Sequence, residues 1–307
     1  MLRLLSAMGS QGVARAWMLP DAAGIGARVR ESAELARLRR GLPMPQVELL
    51  DMAPTDSARD SIEAAALMRR HGARLLAVLG GDGTHRAVAA ACGDLPLATL
   101  STGTNNAFPG TEEATQVGLA GALVAAGRVP AALALRANKR LRLRGPGVDE
   151  SALVDLCVSR QSSIGGRAVW RSADLCSLYA CFAEPGATGL SAIAAFAHPV
   201  GRAEPWGIEV EFGPGRALDA PVMPGWIERV SIAALRRIRP GAALALAGIR
   251  GTLAIDGERE IEIEPDHAFS IELDWGGPRT LDVPAVLDWA ARQGQLFSDR
   301  MPMPLRD

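Results

Sequence analysis

The sequence predicts an α/β N-terminal domain with a mostly parallel sheet, followed by a β-rich, sandwich-like C-terminal domain. In the first part of the chain, short apolar strand patterns alternate with helical patterns, which is typical of a parallel sheet covered by helices. After about residue 135, apolar and polar residues alternate with a period of two between Pro and Gly turns. That pattern indicates antiparallel strands with one solvated face.

Three predicted parts follow from this change of pattern. Residues 1–135 form an α/β part that binds nucleotide phosphates, and residues 136–280 form a sandwich-like substrate domain. Residues 281–307 form a closing helix and tail that packs back on the first domain, because apolar residues recur there at helical spacing. A chain of 307 residues is long enough to bury two cores.

Composition limits the classes of function. Apolar residues make up 48% and charged residues 22%, as in ordinary globular proteins. A formal net charge of −1 attracts neither nucleic acid nor an anionic membrane. No apolar run reaches the roughly 18 residues of a membrane span, and the N-terminal apolar stretch is too short for a secretory signal. We therefore expect a cytoplasmic protein without nucleic-acid or membrane partners.

Two further chemistries are excluded or disfavoured. The four cysteines lack C-x-x-C spacing, so we expect free buried thiols and no metal centre made of protein side chains. Lys139 is the only lysine, and it does not stand in a G-x-x-x-x-G-K-[ST] sequence. A Walker A loop, which requires a lysine at that position, is therefore excluded. Any phosphate must therefore be held by backbone N–H groups, hydroxyls, arginines and a divalent ion.

The chain begins with a strand near residues 17–20, a glycine-containing loop at 21–26 and a helix at 27–39. The loop has two open interpretations: it faces a phosphate ligand, or it is a simple turn between strand and helix. A strand at 47–50 and a helix that ends near Arg70 follow, with capping residues before the helix.

The most informative stretch is the apolar strand 75–79 with the loop after it, Gly80-Gly81-Asp82-Gly83-Thr84. In α/β folds, ligands bind beyond the carboxyl end of such a strand, at the start of the next helix, here predicted from His85 to about residue 91. We expect backbone N–H groups of this loop to bind phosphate oxygens. Asp82 would orient an acceptor hydroxyl as a base or hold an ion, and His85 would be a solvated helix residue.

A second polar loop follows the next predicted strand, 95–100. It contains Gly103, Thr104, Asn105 and Asn106, and these residues are expected to bind ribose or phosphate. Because the strands are predicted to be parallel, both loops should open at the same edge of the sheet.

These residues resemble a known superfamily. The sequence 80–84 is similar to the signature of NAD kinases and of diacylglycerol and sphingosine-type lipid kinases. Three further segments strengthen the resemblance: 103–106, 256–258, and the loop 20–26, which stands where the superfamily has N-P-x-x-G. The overall pattern is most similar to the acetoin-catabolism protein X branch of the ATP–NAD kinase family.

The resemblance implies an α/β domain and a β-sandwich with the active site in the crevice between them. It also implies ATP and Mg²⁺ as donor, NAD as a possible substrate, and a homo-oligomer, either a dimer or a tetramer. Asp82 and Glu258 would be catalytic. The nucleotide-binding residues would be Gly80, Gly81, Gly83, Thr84, Gly103, Thr104, Asn105, Asn106, Asp155, Thr188, Ser191 and Asp256.

The chain departs from the pattern mainly on the acceptor side. Val154 stands where NAD kinases have an asparagine, and Ala107 where lipid kinases have an aspartate. Three functions stay open: an NAD kinase, a nucleotide-binding accessory protein without turnover, and a kinase of a lipid or small polyol. Asp256 and Glu258 belong to a D-G hairpin turn, a functional pair, or both. Asp155 is a substrate contact or a solvated residue of an edge strand.

Overall fold

The structure is a computed structural model that describes residues 1–161, 172–297, 300, 301 and 303. Its helices are α1 (Leu2–Ser10), α2 (Ile25–Arg40), α3 (Ala58–Arg70), α4 (Asp82–Ala89), α5 (Ala114–Ala125), α6 (Ala131–Ala134), α7 (Leu190–Ala197) and α8 (Val283–Arg292). Its strands are β1 (Arg15–Met18), β2 (Gln46–Leu49), β3 (Leu76–Gly80), β4 (Leu97–Ser101), β5 (Leu135–Arg136), β6 (Arg140–Gly145), β7 (Val148–Ala152), β8 (Asp155–Ser159), β9 (Leu175–Ala180), β10 (Gly207–Met223), β11 (Trp226–Ile238), β12 (Ala243–Leu246), β13 (Gly251–Ile255), β14 (Arg259–Ile263), β15 (Phe269–Asp274) and β16 (Thr280–Leu281).

The N-terminal elements form the predicted α/β arrangement. Strands β1 and β2 pair in parallel, and a second sheet has the order β3-β4-β16-β5, in which only the last pairing is antiparallel. Helices α1, α5 and α8 pack around this second sheet. Their shared core includes Leu100, Val117, Leu123 and Val286, each with little or no exposed surface. Helix α8 thus packs back on the N-terminal elements.

The C-terminal elements form two antiparallel sheets, which confirms the period-two pattern. One sheet has six strands in the order β11-β10-β9-β8-β13-β14, and the other has the order β12-β15-β6-β7. The apolar side of each sheet contributes to one core, with Leu143 and Ile271 from the smaller sheet against Leu156 and Leu253 from the larger. The domain limits 1–135, 136–280 and 281–307 stay a prediction, and most of the tail after Phe297 lies outside the described residues.

Helix α7 covers the opposite side of the six-stranded sheet. Ile193 and Ala194 of this helix pack with Leu178 and Val210 in a separate apolar core. This packing fixes the N-terminus of α7 close to the start of β8, which is where the candidate site lies.

All four cysteines are free. Among the described helices, none combines the length and hydropathy needed to cross a membrane.

Candidate functional site

The carboxylate of Asp82 joins the two predicted loops. Asp82 is buried, and its oxygens accept hydrogen bonds from Phe108 N at 2.8 Å and from Ala107 N at 3.0 and 3.2 Å. These contacts are possible because β3 and β4 pair in parallel, so that both loops leave the same sheet edge. Burial raises the pKa of Asp82, whereas the two backbone N–H groups lower it.

Two expectations about this stretch are wrong. Helix α4 begins at Asp82 instead of His85, with Gly81 as an extended N-cap residue. A carboxylate in the first turn favours that start. His85 is fully buried instead of solvated, because its Nδ1 lies 2.8 Å from the Gly81 carbonyl oxygen and its ring packs against Phe108. Burial lowers the pKa of His85, which favours the neutral imidazole.

The glycines after β3 allow close packing. A Cβ atom on Gly80 would lie 2.6 Å from the side chain of Thr84, and one on Gly81 would lie 2.9 Å from Asn106 Oδ1. A Cβ atom on Gly83 would lie 1.6 Å from Glu258 Oε2. The Glu258 carboxylate therefore lies against the start of α4, where the sequence predicts a phosphate, and a larger residue at position 83 would require the Glu258 side chain to move.

The segment 256–258 is a hairpin turn between β13 and β14, and its carboxyl groups lie at the candidate site. Asp256 is buried and accepts hydrogen bonds from the backbone N–H groups of Leu153, Val154 and Asp155, the shortest at 2.8 Å. Arg86 Nε lies 3.5 Å from its Oδ2. Burial raises the pKa of Asp256 to about 7, although the N–H groups and the arginine act in the opposite direction.

The loop after β4 is held by its own side chains and by the segment before α7. Asn106 Nδ2 donates to Ser101 Oγ at 2.9 Å, and the Ser101 hydroxyl donates to the Gly103 carbonyl at 2.9 Å. Thr188 Oγ1 lies 3.3 Å from the Thr104 carbonyl oxygen. A Cβ atom on Gly189 would lie 3.5 Å from Asn105 Oδ1. The second loop therefore contacts the start of α7.

Asp155 is not a solvated residue of an edge strand. It begins β8, which lies inside the six-stranded sheet between β9 and β13, and only 4% of its surface is exposed. Burial raises its pKa well above the usual range, and the nearby charges of Asp256 and Asp82 act in the same direction. The Ser191 backbone N–H, in the first turn of α7, lowers it. Its Oδ1 has no hydrogen-bond partner among the described residues.

These groups surround one cavity of about 580 Å³, which we call the carboxylate cavity. Six of the predicted site residues line it, namely Asp82, Asn105, Asp155, Thr188, Ser191 and Asp256. The other eight lie beside it, in the two loops and at Glu258. Apolar side chains form much of the remaining wall, including Val154, Leu190, Ile193, Met223 and Trp226. The site is thus built between the N-terminal loops and the six-stranded sheet.

Arg202 belongs to this site and was missed by the sequence analysis. Its guanidinium donates to the carbonyls of Ala107 and Phe108, the latter at 2.9 Å. The N–H groups of the same two residues bind Asp82, so Arg202 fixes the peptide segment that holds the carboxylate. It also lies 4.1 Å from the ring centroid of Phe182. No motif marks this arginine, because its partners lie far away in the sequence.

The loop before α2 is closed by its own side chain in this structure. Asp21 Oδ1 accepts from Ile25 N at 2.9 Å, and Oδ2 accepts from Gly26 N at 2.7 Å. The helix start is therefore occupied by the loop's own carboxylate, and the hydrogen bonds from Gly26 and Ile25 lower the pKa of Asp21. The loop does not line the carboxylate cavity within the described part of the chain.

The fold and the site together define a class of protein. A parallel α/β unit presents a glycine- and aspartate-containing helix start to a cavity completed by an antiparallel β unit, as expected for the kinase superfamily that the motifs resemble. Two family models match the chain: the diacylglycerol kinase catalytic domain over residues 27–128, and the acetoin catabolism protein X C-terminal domain over residues 132–276.

A full-length comparison identifies the branch. The acetoin catabolism protein X of Cupriavidus necator is 42% identical over 314 residues, which cover 99% of this chain and 86% of that protein. The chain belongs to the acetoin catabolism protein X family, as the motifs predicted.

Solved structures with a related overall shape include two kinases. Yeast NADH kinase complexed with NADH matches with a TM-score of 0.49 and 14% identity, covering 91% of this chain and 79% of that chain. An NAD kinase from Archaeoglobus fulgidus in complex with ATP matches with a TM-score of 0.45 and 16% identity, covering 94% of this chain and 98% of that chain.

Proposed function

We propose that this protein transfers a phosphoryl group from ATP to a hydroxyl group of an acceptor held in the carboxylate cavity. The observation that carries the proposal is Asp82, a buried carboxylate at the start of α4 that also lines the cavity. Phosphoryl transfer depends on positioning and charge stabilisation more than on covalent chemistry by the protein. The match to the diacylglycerol kinase catalytic domain supports phosphotransfer as the reaction class.

In this proposal the acceptor hydroxyl lies beside Asp82, which takes its proton as the new bond to phosphorus forms. The bond between the transferred phosphorus and the oxygen of the leaving ADP breaks in the same step. Burial raises the pKa of Asp82, which makes this carboxylate a stronger base than an exposed one. The N–H groups of Ala107 and Phe108 hold the carboxylate in place while the proton moves.

The donor phosphates would bind at the start of α4, where the Glu258 carboxylate now lies against Gly83. In its alternative role, Asp82 would hold Mg²⁺ together with phosphate and water oxygens instead of acting as the base; the described residues form no cluster of three or more metal-binding side chains. One or two carboxylates plus phosphates are ordinary ligands for Mg²⁺. When bound, the ion neutralises the charge of the phosphoryl group.

The test is transfer of radioactive phosphate from γ-labelled ATP, with MgCl₂ and a panel of hydroxyl acceptors that includes NAD. We expect a labelled acceptor with the wild-type protein, and its loss in Asp82→Asn. Asp94→Asn, at an exposed turn, is the matched control and should retain activity. Equal transfer by Asp82→Asn would overturn the assignment of the base. Formation of NADP would establish NAD as the acceptor, which is the simplest form of the sequence prediction.

A second candidate is an accessory protein that binds a nucleotide without turnover. The position of Glu258 favours it, because a carboxylate at the helix start competes with phosphate. ATP binding without transfer to any acceptor would support this candidate.

The relative's name suggests a role in acetoin catabolism, which loss of growth on acetoin in a deletion strain would test. The cytoplasmic location and the homo-oligomer stay predictions, to be checked by fractionation and light scattering.

A further inference from the structure

The carboxylate cavity has an unusual set of ionisable groups for a nucleotide-type acceptor. Four carboxyl groups line it, those of Asp82, Asp155, Glu228 and Asp256, and its described lining includes no lysine, arginine or histidine. A dinucleotide brings two phosphate charges, and the described lining of the cavity offers no cationic side chain to neutralise them. The described lining therefore opposes an anionic acceptor.

Each of the four carboxyl groups has at least one hydrogen-bond partner. Asp82 is held by the loop after β4, and Asp256 by three backbone N–H groups. Glu228 accepts from Trp226 Nε1 at 3.0 Å. Asp155 differs, because its Oδ1 is buried and has no partner among the described residues. An unsatisfied buried oxygen costs free energy that a ligand hydroxyl would recover.

The rest of the wall is suited to hydrocarbon. Val154 lies next to Asp155, and Leu190 and Ile193 of α7 face the same cavity. The hairpin of β10 and β11 adds Met223 and Trp226 at the outer side, where both are substantially exposed. Burial of an apolar ligand body against these side chains is favourable and needs no charge.

We infer that the acceptor is an uncharged alcohol with an apolar body and a second oxygen, and that Asp155 selects it by hydrogen bonding to that second oxygen. The inference rests on the proposed function, since it assigns the acceptor of the same site. The reacting hydroxyl then lies near Asp82 and the second oxygen near Asp155. Both aspartates line the carboxylate cavity.

The test measures binding of three probes to the full chain by calorimetry: hexane-1,2-diol, hexan-1-ol and NAD. We expect the diol to bind about tenfold more tightly than the mono-alcohol, as one additional buried hydrogen bond predicts. NAD should bind more weakly than the diol. In Asp155→Val the advantage of the diol should disappear, while Asp155→Asn, which still hydrogen bonds, should retain most of it.

Asp149→Val is the matched control, because Asp149 is exposed on β7. It should leave the difference between diol and mono-alcohol unchanged. Equal binding of both alcohols by the wild-type protein would overturn the inference, as would NAD binding more tightly than the diol. A thermal melt of each variant shows that it is folded, and the comparison of diol with mono-alcohol in the wild-type protein still tests the inference should the valine variant unfold.

The phosphotransfer assay separates this inference from the proposed function. Transfer to NAD without diol binding would overturn the assignment of an uncharged acceptor and leave phosphotransfer intact. Diol binding that depends on Asp155, without transfer to any acceptor, would support the acceptor site and overturn the kinase reaction. Transfer to the diol in preference to NAD would support both.

Discussion

The two strand–loop–helix units that precede α2 and α4 look alike in sequence but are built differently. At α2, Asp21 binds the N–H groups of Ile25 and Gly26 within the same turn. At α4, the first-turn carboxylate binds Ala107 and Phe108 of another loop. A carboxylate from the distant 256–258 hairpin lies over Gly83. The start of α2 is thus capped by a residue of its own loop, whereas the start of α4 is built from three separate segments of the chain.

The most direct test of this comparison replaces the aspartate at each of the two helix starts by asparagine. Asp82→Asn should lower phosphotransfer at least about 100-fold, the usual contribution of a general base. Asp21→Asn should change it less than about twofold, because Asp21 lies outside the carboxylate cavity. The rate of labelled phosphate transfer measures both. A similar loss in the two variants would mean that both helix starts serve the reaction.

The next largest effect should come from the residue that supports the α4 site from behind. Arg202→Met leaves the carbonyls of Ala107 and Phe108 without their charged donor. We expect the free energy of unfolding in urea to fall by about 2–3 kcal/mol, since hydrogen bonds to charged groups contribute roughly that much.

The matched control is Arg229→Met, which removes an exposed arginine paired with Asp219 and should change stability little. Phosphotransfer by Arg202→Met should fall as well, because Asp82 depends on the same peptide segment. Arg202→Lys keeps the charge and should restore part of the stability. Equal stability of Arg202→Met and wild type would contradict the supporting role.

A smaller effect is expected at the closed helix end. Asp21→Ala removes the acceptor for two N–H groups at the start of α2. Loss of such a cap should lower Tm by about 3 °C, measured by circular dichroism, with phosphotransfer unchanged. A loss of ATP binding in this variant would instead show that the loop at 21–26 contacts the nucleotide.

The sequence predicted the elements that depend on local pattern. Strand and helix alternation and the antiparallel strands after residue 135 were correct, because burial periodicity repeats within each element. Helix α1 was not predicted, and the limits of the closing helix and tail stay a prediction. The predicted start of α4 was wrong, since three glycines suggested a loop although the first-turn Asp82 and the loop after β4 stabilise a helix there. The burial of His85 depends on Phe108, a contact that no local pattern contains.

The site was predicted in part for the same reason. Motif residues of the two loops and of the 256–258 hairpin do meet at one place, because strand pairing brings the carboxyl ends of β3 and β4 together. Arg202 could not be found, since its contacts follow from tertiary packing alone. Asp155 had a usable signal: a single aspartate within the apolar run 152–158 indicates burial more than exposure.

The smallest predicted effect concerns Glu258, the side chain that distinguishes the α4 helix start from the α2 helix start. Glu258→Gln removes a negative charge from the place where phosphate would bind, so ATP affinity measured by calorimetry should rise a few-fold at low salt.

The Glu258 charge also contributes, after burial, to the raised pKa of Asp82. Its removal should lower that pKa, and since the base must be deprotonated, the rising limb of kcat/KM should move to lower pH. A limb that moves to higher pH would contradict the assignment of Asp82 as the base. Loss of activity with unchanged ATP affinity would instead indicate that Glu258 acts directly in the transfer.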